Sequence, residues 1–214
     1  MTDKPRIYVL AGVNGAGKSS IGGAAFRSHG IDYYNPDEAA RELRESHPEQ
    51  TSTEANALAW QQGREMLERA IRERFDFVFE TTLGGNTIPR LLGEAAKSGI
   101  EIFVWYVGLK SPELHVERVA TRVRRGGHSI PEETIRQRYE HSRLNLIQLL
   151  PSLTELRVYD NSDPAEPEAG ETPTPRLLLH LKQGKIFAPT LEDRPKTPDW
   201  AKPIVAAAFR LTSG

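Results

Sequence analysis

The stretch Gly12-Val13-Asn14-Gly15-Ala16-Gly17-Lys18-Ser19 decides the fold of this chain, because it matches the phosphate-binding pattern GxxxxGKS in full. An apolar run at residues 7–11 precedes it, and a helix is predicted to begin at Lys18, so the order is strand, loop and helix. Glycines let successive backbone N–H groups wrap a polyphosphate, and the following helix N-terminus adds a positive dipole end. The pattern therefore predicts binding of a nucleoside triphosphate.

The side chains of this loop have predicted roles. Lys18 is expected to reach the β- and γ-phosphates. The hydroxyl of Ser19 is suited to hold Mg²⁺, so the expected ligand is Mg-ATP or Mg-GTP, and we take ATP with Mg²⁺ as the working choice. The predicted nucleotide-binding residues are Gly12, Asn14, Gly15, Ala16, Gly17, Lys18, Ser19 and Ser20, with Ser19 as the metal ligand.

The rest of the chain alternates short apolar strands with amphipathic helical stretches, which is typical of a parallel sheet covered by helices on both faces. We predict a P-loop NTPase domain of the kinase type, a three-layer α/β/α fold with a parallel five-stranded sheet and a helical arginine lid. The predicted strands are residues 7–11, 31–35, 77–79, 101–109 and 156–159. A second helix is predicted to start at Pro36, and a long polar helix is predicted over about residues 53–75.

One domain is expected over residues 1–214, with the lid at residues 111–140 and a C-terminal extension over residues 163–214. The extension begins with a proline- and acid-rich stretch, residues 163–175, which we predict to be a surface loop. A hairpin at residues 177–187 and a closing helix at residues 200–209 are predicted to follow.

Composition excludes several function classes. The formal net charge of −1 gives no reason to expect bulk binding to nucleic acid or to an anionic membrane, and the absence of cysteine excludes disulfides, thiolate metal sites and a catalytic thiol. No apolar stretch approaches the roughly 18 residues that span a bilayer, and no signal-peptide core is visible. We therefore expect a cytoplasmic protein with neither nucleic acid nor membrane as a partner.

Acidic side chains follow predicted strands, at the edge where ligands of open α/β sheets collect. Asp37 could start a helix as a carboxylate that complements the helix dipole, or it could accept a proton from a substrate hydroxyl. Given the phosphate loop, we favour the base. Glu80 ends an apolar strand beside Thr81 and Thr82, whose hydroxyls suit a polar substrate or water around Mg²⁺. Its alternative role is a buried acid satisfied by backbone N–H groups. Asp160 is expected to be a turn residue.

Three arginines share one face of the helix that starts at Ser111, because Arg118, Arg122 and Arg125 are spaced i, i+4 and i+7. The pair Gly126-Gly127 then interrupts the helix. Two arginine-lined helices joined by a glycine hinge predict a mobile lid that closes over phosphates and excludes water. The alternative for any one arginine is a solvated basic face paired with neighbouring acids.

The second lid helix contains Arg136 and Arg138, which are two residues apart and so cannot both face the site. His128 is a lone histidine next to the glycine hinge. We predict that it forms hydrogen bonds within the lid and is not a base.

Together these motifs resemble the zeta toxin family of P-loop kinases. The resemblance rests on the phosphate loop, on Asn35-Pro36-Asp37, on Phe79-Glu80-Thr81-Thr82-Leu83 and on the run ERVATRVRRGGHSIPEETIRQRY. It covers about residues 6–162, and its most specific part is the GGHxIP segment. It implies a kinase-type P-loop fold and ATP-dependent phosphorylation of a UDP-N-acetylhexosamine, a cell-wall precursor, at the sugar 3′-hydroxyl.

Carried over residue by residue, the resemblance implies that Lys18 and Ser19 handle ATP and Mg²⁺ and that Asp37 is the base. Arg118 resembles one charge-stabilising arginine, and either Arg122 or Arg125 is the other. Substrate contacts are expected from Asp37, Glu80, Thr81, Thr82, His128 and Arg138.

The resulting hypothesis is a monomeric small-molecule kinase that transfers the γ-phosphoryl group of ATP to a hydroxyl of a nucleotide sugar, such as UDP-N-acetylglucosamine. An antitoxin protein is the partner that the resemblance suggests. One alternative is a kinase for another hydroxyl substrate, such as an antibiotic, a sugar or a polynucleotide end. The other is a nucleotide-gated binding protein that hydrolyses ATP only as a timer. The combination of Asp37 and an arginine lid favours the kinase.

Overall fold

The computed structural model describes residues 4–23, 33–163 and 175–213. In chain order its elements are β1 (Arg6–Ala11), a π-helical turn (Ser19–Gly23), α1 (Pro36–Ser46), α2 (Ser52–Glu73), β2 (Phe77–Thr81), α3 (Thr87–Lys97), β3 (Glu101–Gly108), α4 (Pro112–Arg124), α5 (Glu132–Leu149), β4 (Glu155–Asp160), β5 (Arg176–Lys182), β6 (Lys185–Ala188) and α6 (Lys202–Thr212). Most of the proline- and acid-rich stretch predicted as a loop lies outside the described residues. Across the described ranges, no helix has both the length and the apolar character that crossing a membrane requires.

The described strands form one six-stranded sheet in the order β2-β1-β3-β4-β5-β6. The first four are mutually parallel, whereas β5 runs antiparallel to both β4 and β6. The prediction of a five-stranded, all-parallel sheet is therefore wrong at the edge formed by β5 and β6. The predicted hairpin joins the sheet as β5 and β6, because Leu179 and Leu181 become buried beside β4. Its alternating pattern predicts a hairpin but does not identify the strand with which it pairs.

Most of the strand predicted at residues 31–35 lies outside the described residues. Its described end makes one isolated parallel bridge, between Tyr34 and Phe79. Tyr34 N donates to Val78 O at 2.9 Å, and Glu80 N donates to Tyr34 O at 2.8 Å. The chain thus runs along the outer edge of β2 at Tyr34, which brings the start of α1 to the carboxyl ends of the strands.

One face of the central strands β1 and β3 is buried along its length, whereas Tyr8, Phe103 and Trp105 on the other face are only partly buried. The fully buried residues of these strands include Ile7, Leu10, Ile102 and Val104. The C-terminal helix α6 completes the core together with Trp200, which packs on β3. A Cβ at Gly108 would lie 2.3 Å from the Trp200 ring, so this approach requires glycine.

Local sequence determines where the site helices begin. The Asn35 side chain caps α1 by accepting from Asp37 N at 3.0 Å, and Pro36 occupies the first turn. Ser111 caps α4 in the same way by accepting from Leu114 N at 3.3 Å. The cap on α1 fixes Asp37 in the first helical turn, beside the end of β2.

Candidate active site

The phosphate loop lies between β1 and the π-helical turn. Gly12 has a φ of 140°, and a Cβ there would lie 2.1 Å from Val107 O, so only glycine lets the loop pass β3 so closely. Lys18 is only 6% exposed. Its Nζ lies 3.4 Å from Val13 O and 3.4 Å from Glu80 Oε1. Lys18 therefore lies across its own loop and is paired with an acid from the neighbouring strand.

Glu80 is an 8% exposed acid at the end of β2, and side chains of the phosphate loop satisfy it. Its Oε2 accepts from Ser19 Oγ at 2.9 Å, while Oε1 faces Lys18. The adjacent hydroxyl and carboxylate are hard oxygen ligands of the kind that Mg²⁺ prefers alongside phosphates. Within the described ranges, no group of three or more His, Cys, Asp or Glu side chains could hold a metal. The donor set of Ser19 and Glu80 fits Mg²⁺ bound together with phosphate oxygens.

Two buried side chains that the sequence did not predict hold the phosphate loop in place. His115 is 1% exposed, and its Nδ1 donates to Asn14 O at 2.8 Å. Burial lowers the pKa of His115 to about 4, so the ring is neutral near pH 7. Asn161 Nδ2 donates to Ala16 O at 2.8 Å, and a Cβ at Gly17 would lie 2.6 Å from this nitrogen.

A sequence signal for one of these supports did exist. Asn161 directly follows β4, at the strand ends where ligands of such sheets collect. Its neighbour Asp160, expected to be a turn residue, is the last residue of β4, and its Oδ1 accepts from Ser162 N at 3.2 Å. His115 is an interior residue of α4 and had no comparable signal.

Asp37 is joined to the lid by an ion pair. Its Oδ2 accepts from Arg122 Nη1 at 3.0 Å, and its Oδ1 lies 3.8 Å from His128 Nε2. Arg122 Nη2 also donates to His128 O at 3.3 Å, whereas its buried Nε has no partner among the described residues. Burial lowers the pKa of His128, and Asp37 only partly offsets this effect, so the guanidinium of Arg122 and not the His128 ring is the charged partner of Asp37. A Cβ at Gly127 would lie 2.7 Å from Arg122 Cγ, so the backbone can pack this closely against the Arg122 side chain only because residue 127 is glycine.

Of Arg136 and Arg138, only one is directed to the site by the second lid helix. Arg138 Nη1 donates to Asn14 Oδ1 at 2.8 Å. Arg136 instead forms surface ion pairs, with Glu113 at 2.6 Å and with Glu132 at 2.8 Å. The prediction that only one of the pair can face the site is confirmed, and that residue is Arg138.

The two lid helices are part of the hydrophobic core. α4 buries Val119, and α5 buries Ile135 and Tyr139. Ser142 Oγ on α5 also donates to Thr82 O at 2.6 Å. Any closing movement over a ligand would therefore involve the short link between the helices, residues 125–131, and the arginine side chains. Movement of this lid stays a prediction.

The two threonines after Glu80 shape the turn that follows β2. Thr81 Oγ1 accepts from Leu83 N at 3.2 Å, and Thr82 Oγ1 accepts from Gly84 N at 3.3 Å. A hydroxyl that accepts a hydrogen bond keeps its own proton to donate. Both threonines line a cavity, so each can still donate to a ligand there.

Two cavities meet at this site. The P-loop cavity has a volume of about 1020 Å³, and the second cavity, between α2 and α5, has a volume of about 710 Å³. The P-loop cavity is lined by the predicted residues Gly15, Gly17, Ser19, Ser20, Arg118, Arg122 and Arg125 and by Asn161. The second cavity is lined by Thr81, Thr82 and Arg138 together with Trp60 and Arg64 of α2. Both cavities share Asn14, Lys18, Asp37, Glu80 and His128.

Known proteins resemble the chain in sequence. The family model described as Zeta toxin matches residues 1–166. An uncharacterized protein of Haemophilus influenzae is 28% identical over 140 residues, which are 65% of this chain and 94% of that protein.

Solved structures share its fold. A chain in the crystal structure of AvrRxo1-ORF1:-ORF2 with ATP has a TM-score of 0.67 at 17% identity, and the match covers 92% of this chain but only 65% of that chain. A chain from the PezAT chromosomal toxin-antitoxin system of Streptococcus pneumoniae has a TM-score of 0.53 at 18% identity, with coverage of 74% and 68%. At these identities the likeness demonstrates a shared fold.

Proposed function

The chain belongs to the zeta toxin family, and on that premise we propose that it is a magnesium-dependent kinase. It would transfer the γ-phosphoryl group of ATP to a hydroxyl of a nucleotide sugar such as UDP-N-acetylglucosamine. The observation that carries the proposal is the meeting of two cavities at five shared side chains. A nucleotide switch needs one cavity and a positioned water, whereas a kinase needs a second cavity for its acceptor.

The P-loop cavity has the side chains that would bind the nucleotide. Lys18 would exchange its contact with Glu80 for the β- and γ-phosphates, because a polyphosphate offers it more negative charge. Arg118 and Arg125 line the same cavity and would contact the phosphates from the lid side. Mg²⁺ held by Ser19, with Glu80 beside it, would neutralise phosphate charge when bound.

Asp37 would act as the base at the junction of the cavities. Its carboxylate would accept the proton of the acceptor hydroxyl as the new O–P bond forms and the bond from the γ-phosphorus to ADP breaks. Arg122 Nη1 pairs with this carboxylate at 3.0 Å. A γ-phosphate in the P-loop cavity would give Arg122 a second anionic partner, which its unpartnered Nε favours. Arg122 would then link the base to the group being transferred.

The second cavity suits a large polar acceptor. Its α2 wall presents Asn56, Trp60 and Arg64, which are spaced i, i+4 and i+8 and so share one helix face. The Trp60 ring is half exposed, and the buried Nε of Arg64 has no partner among the described residues. An aromatic platform, an amide and a cation are groups that can recognise a planar base and a phosphate. This chemistry supports a nucleotide sugar over a small alcohol.

The test is an acceptor screen. Purified protein is incubated with Mg-ATP and UDP-N-acetylglucosamine, related nucleotide sugars or other hydroxyl metabolites, and mass spectrometry searches for products heavier by one phosphate. Lys18→Ala should abolish ATP binding and product formation, whereas the surface variant Lys202→Ala should be as active as the wild type. Retained activity in Lys18→Ala would contradict the site assignment. ATP hydrolysis stimulated by a protein, with no product from any acceptor, would favour the nucleotide-gated alternative.

A protein partner is a second element of the proposal. The PezAT structure comes from a toxin-antitoxin system, and the AvrRxo1 structure is an assembly of two proteins. We therefore propose that an antitoxin binds this chain. Induced expression should arrest growth of a bacterial host, and Lys18→Ala should remove the arrest. Growth unaffected by an active enzyme would contradict the toxin role while leaving the kinase reaction intact.

A further inference from the structure

Asn14 is held from two sides at the junction of the cavities. It is 7% exposed, and its backbone oxygen accepts from His115 of α4. Its side-chain Oδ1 accepts from Arg138 of α5 at 2.8 Å. Neither the phosphate-loop pattern nor the predicted substrate role of Arg138 requires such a contact.

The partner determines which way the Asn14 amide faces. A guanidinium has only N–H donors, so the amide oxygen must face Arg138 and the amide NH₂ must face away from it. No acceptor among the described residues takes a hydrogen bond from Nδ2. Because Asn14 lines both cavities, its donor group is available where they meet.

The turn after β2 lets the Arg138 side chain reach Asn14. A Cβ at Gly84 would lie 2.6 Å from Arg138 Cγ and 3.2 Å from Arg138 Cβ, so the arginine crosses this turn only because residue 84 is glycine. Arg138 is thereby held along the wall of the second cavity with its guanidinium on Asn14.

We infer that Asn14 Nδ2 donates a hydrogen bond to the phosphoryl group in transfer and that Arg138 is the positioning residue that orients this amide. The inference rests on the proposed kinase function, since a phosphoryl group that moves from the nucleotide to an acceptor must cross the junction of the cavities. A preoriented neutral donor at that point stabilises the charge of the transition state without requiring reorganisation. Arg138 acts through Asn14 and not by binding the acceptor.

Removing one such donor lowers kcat by roughly 100-fold, so this is the loss expected for Asn14→Ala. Arg138→Met should lower kcat by about tenfold because the amide can then rotate, and the KM for the acceptor should stay within about twofold. Arg138→Lys, which keeps a donor, should recover most of the lost kcat. Arg136→Met is the matched control on the same helix, and it should have wild-type kcat because its guanidinium pairs with surface acids.

A double-mutant cycle tests the inference. Wild type, Asn14→Ala, Arg138→Met and the double variant are compared for phosphoryl transfer to an acceptor and for hydrolysis of ATP by water. In the Asn14→Ala background, Arg138→Met should change kcat by less than about twofold. If Asn14→Ala does not fold, the isosteric variant Asn14→Asp replaces it in the test. The Asp side chain still accepts a hydrogen bond from Arg138 but has no N–H to donate.

The outcomes distinguish a failure of this inference from a failure of the proposed kinase function. Additive losses, a raised acceptor KM in Arg138→Met, or wild-type kcat in Asn14→Asp would overturn the inference while leaving an active kinase. A wild-type protein that phosphorylates no acceptor would contradict the proposed function. The cycle measured on ATP hydrolysis would still decide whether Arg138 acts through Asn14.

Discussion

His115 should make the folded protein less stable at acidic pH. Its ring is 1% exposed, and burial lowers its pKa to about 4. In the unfolded chain the ordinary value is about 6.5, so between these values the unfolded state binds a proton that the folded state does not. The stabilising contribution is therefore complete above pH 6.5 and is lost as the pH falls toward 4. At pH 5 the loss amounts to about 2 kcal/mol of unfolding free energy.

Urea unfolding at pH 8 and pH 5 measures this effect. His115→Asn removes the titration but keeps a donor, since the Asn amide nitrogen can replace Nδ1 in the hydrogen bond to Asn14 O. The difference in unfolding free energy between the two pH values should therefore be about 2 kcal/mol smaller in this variant than in the wild type. His141→Asn is the matched control, because His141 is exposed on α5, and it should keep the full pH dependence. An unchanged pH dependence in His115→Asn would refute the reasoning from burial.

Three further predictions concern the phosphate loop, the packing of β3 and the interior of α3. Asn161→Ala should weaken ATP binding by about 1–3 kcal/mol, because the buried Ala16 carbonyl loses its hydrogen-bond partner. Calorimetry measures this change, and an unchanged affinity would contradict a role of Asn161 in supporting the loop. Gly108→Ala should lower the unfolding free energy by about 1–3 kcal/mol, because a Cβ there would lie 2.3 Å from the Trp200 ring, and an unchanged melting temperature would contradict this packing. Gly93→Ala should instead raise the unfolding free energy by about 0.5–1 kcal/mol, because Gly93 is inside α3 with nothing within 4 Å of an added Cβ. A lower melting temperature in thermal unfolding would contradict this prediction.

The predictable parts of the site were those that local chemistry dictates. The phosphate loop has a specific pattern, and Asp37 follows from a helix start after a strand. The spacing of Arg136 and Arg138 showed that only one could face the site, but the choice depended on Asn14, a residue 124 positions away from Arg138 in the chain. No local pattern encodes such a contact, because helical periodicity states which residues share a face and not what that face meets.

The missed parts depend on tertiary packing. His115 is an interior helix residue, and its role arises only because α4 packs against the phosphate loop. The antiparallel pair β5 and β6 was predicted as a hairpin but not as part of the sheet, because pairing with β4 is a contact between distant segments. The Arg122–Asp37 ion pair likewise joins two separately predicted motifs that the sequence could not bring together.

The measurement that bears most directly on the kinase proposal is a comparison of ATP binding with phosphoryl transfer in Asp37→Asn. Calorimetry with Mg-ATP and mass spectrometry of the acceptor product are applied to the wild type, to this variant and to the surface control Asp199→Asn. The variant should bind ATP about as tightly as the wild type but form at least about 100-fold less product, because a neutral amide cannot accept the hydroxyl proton. Wild-type transfer by Asp37→Asn would contradict the assignment of Asp37 as the base.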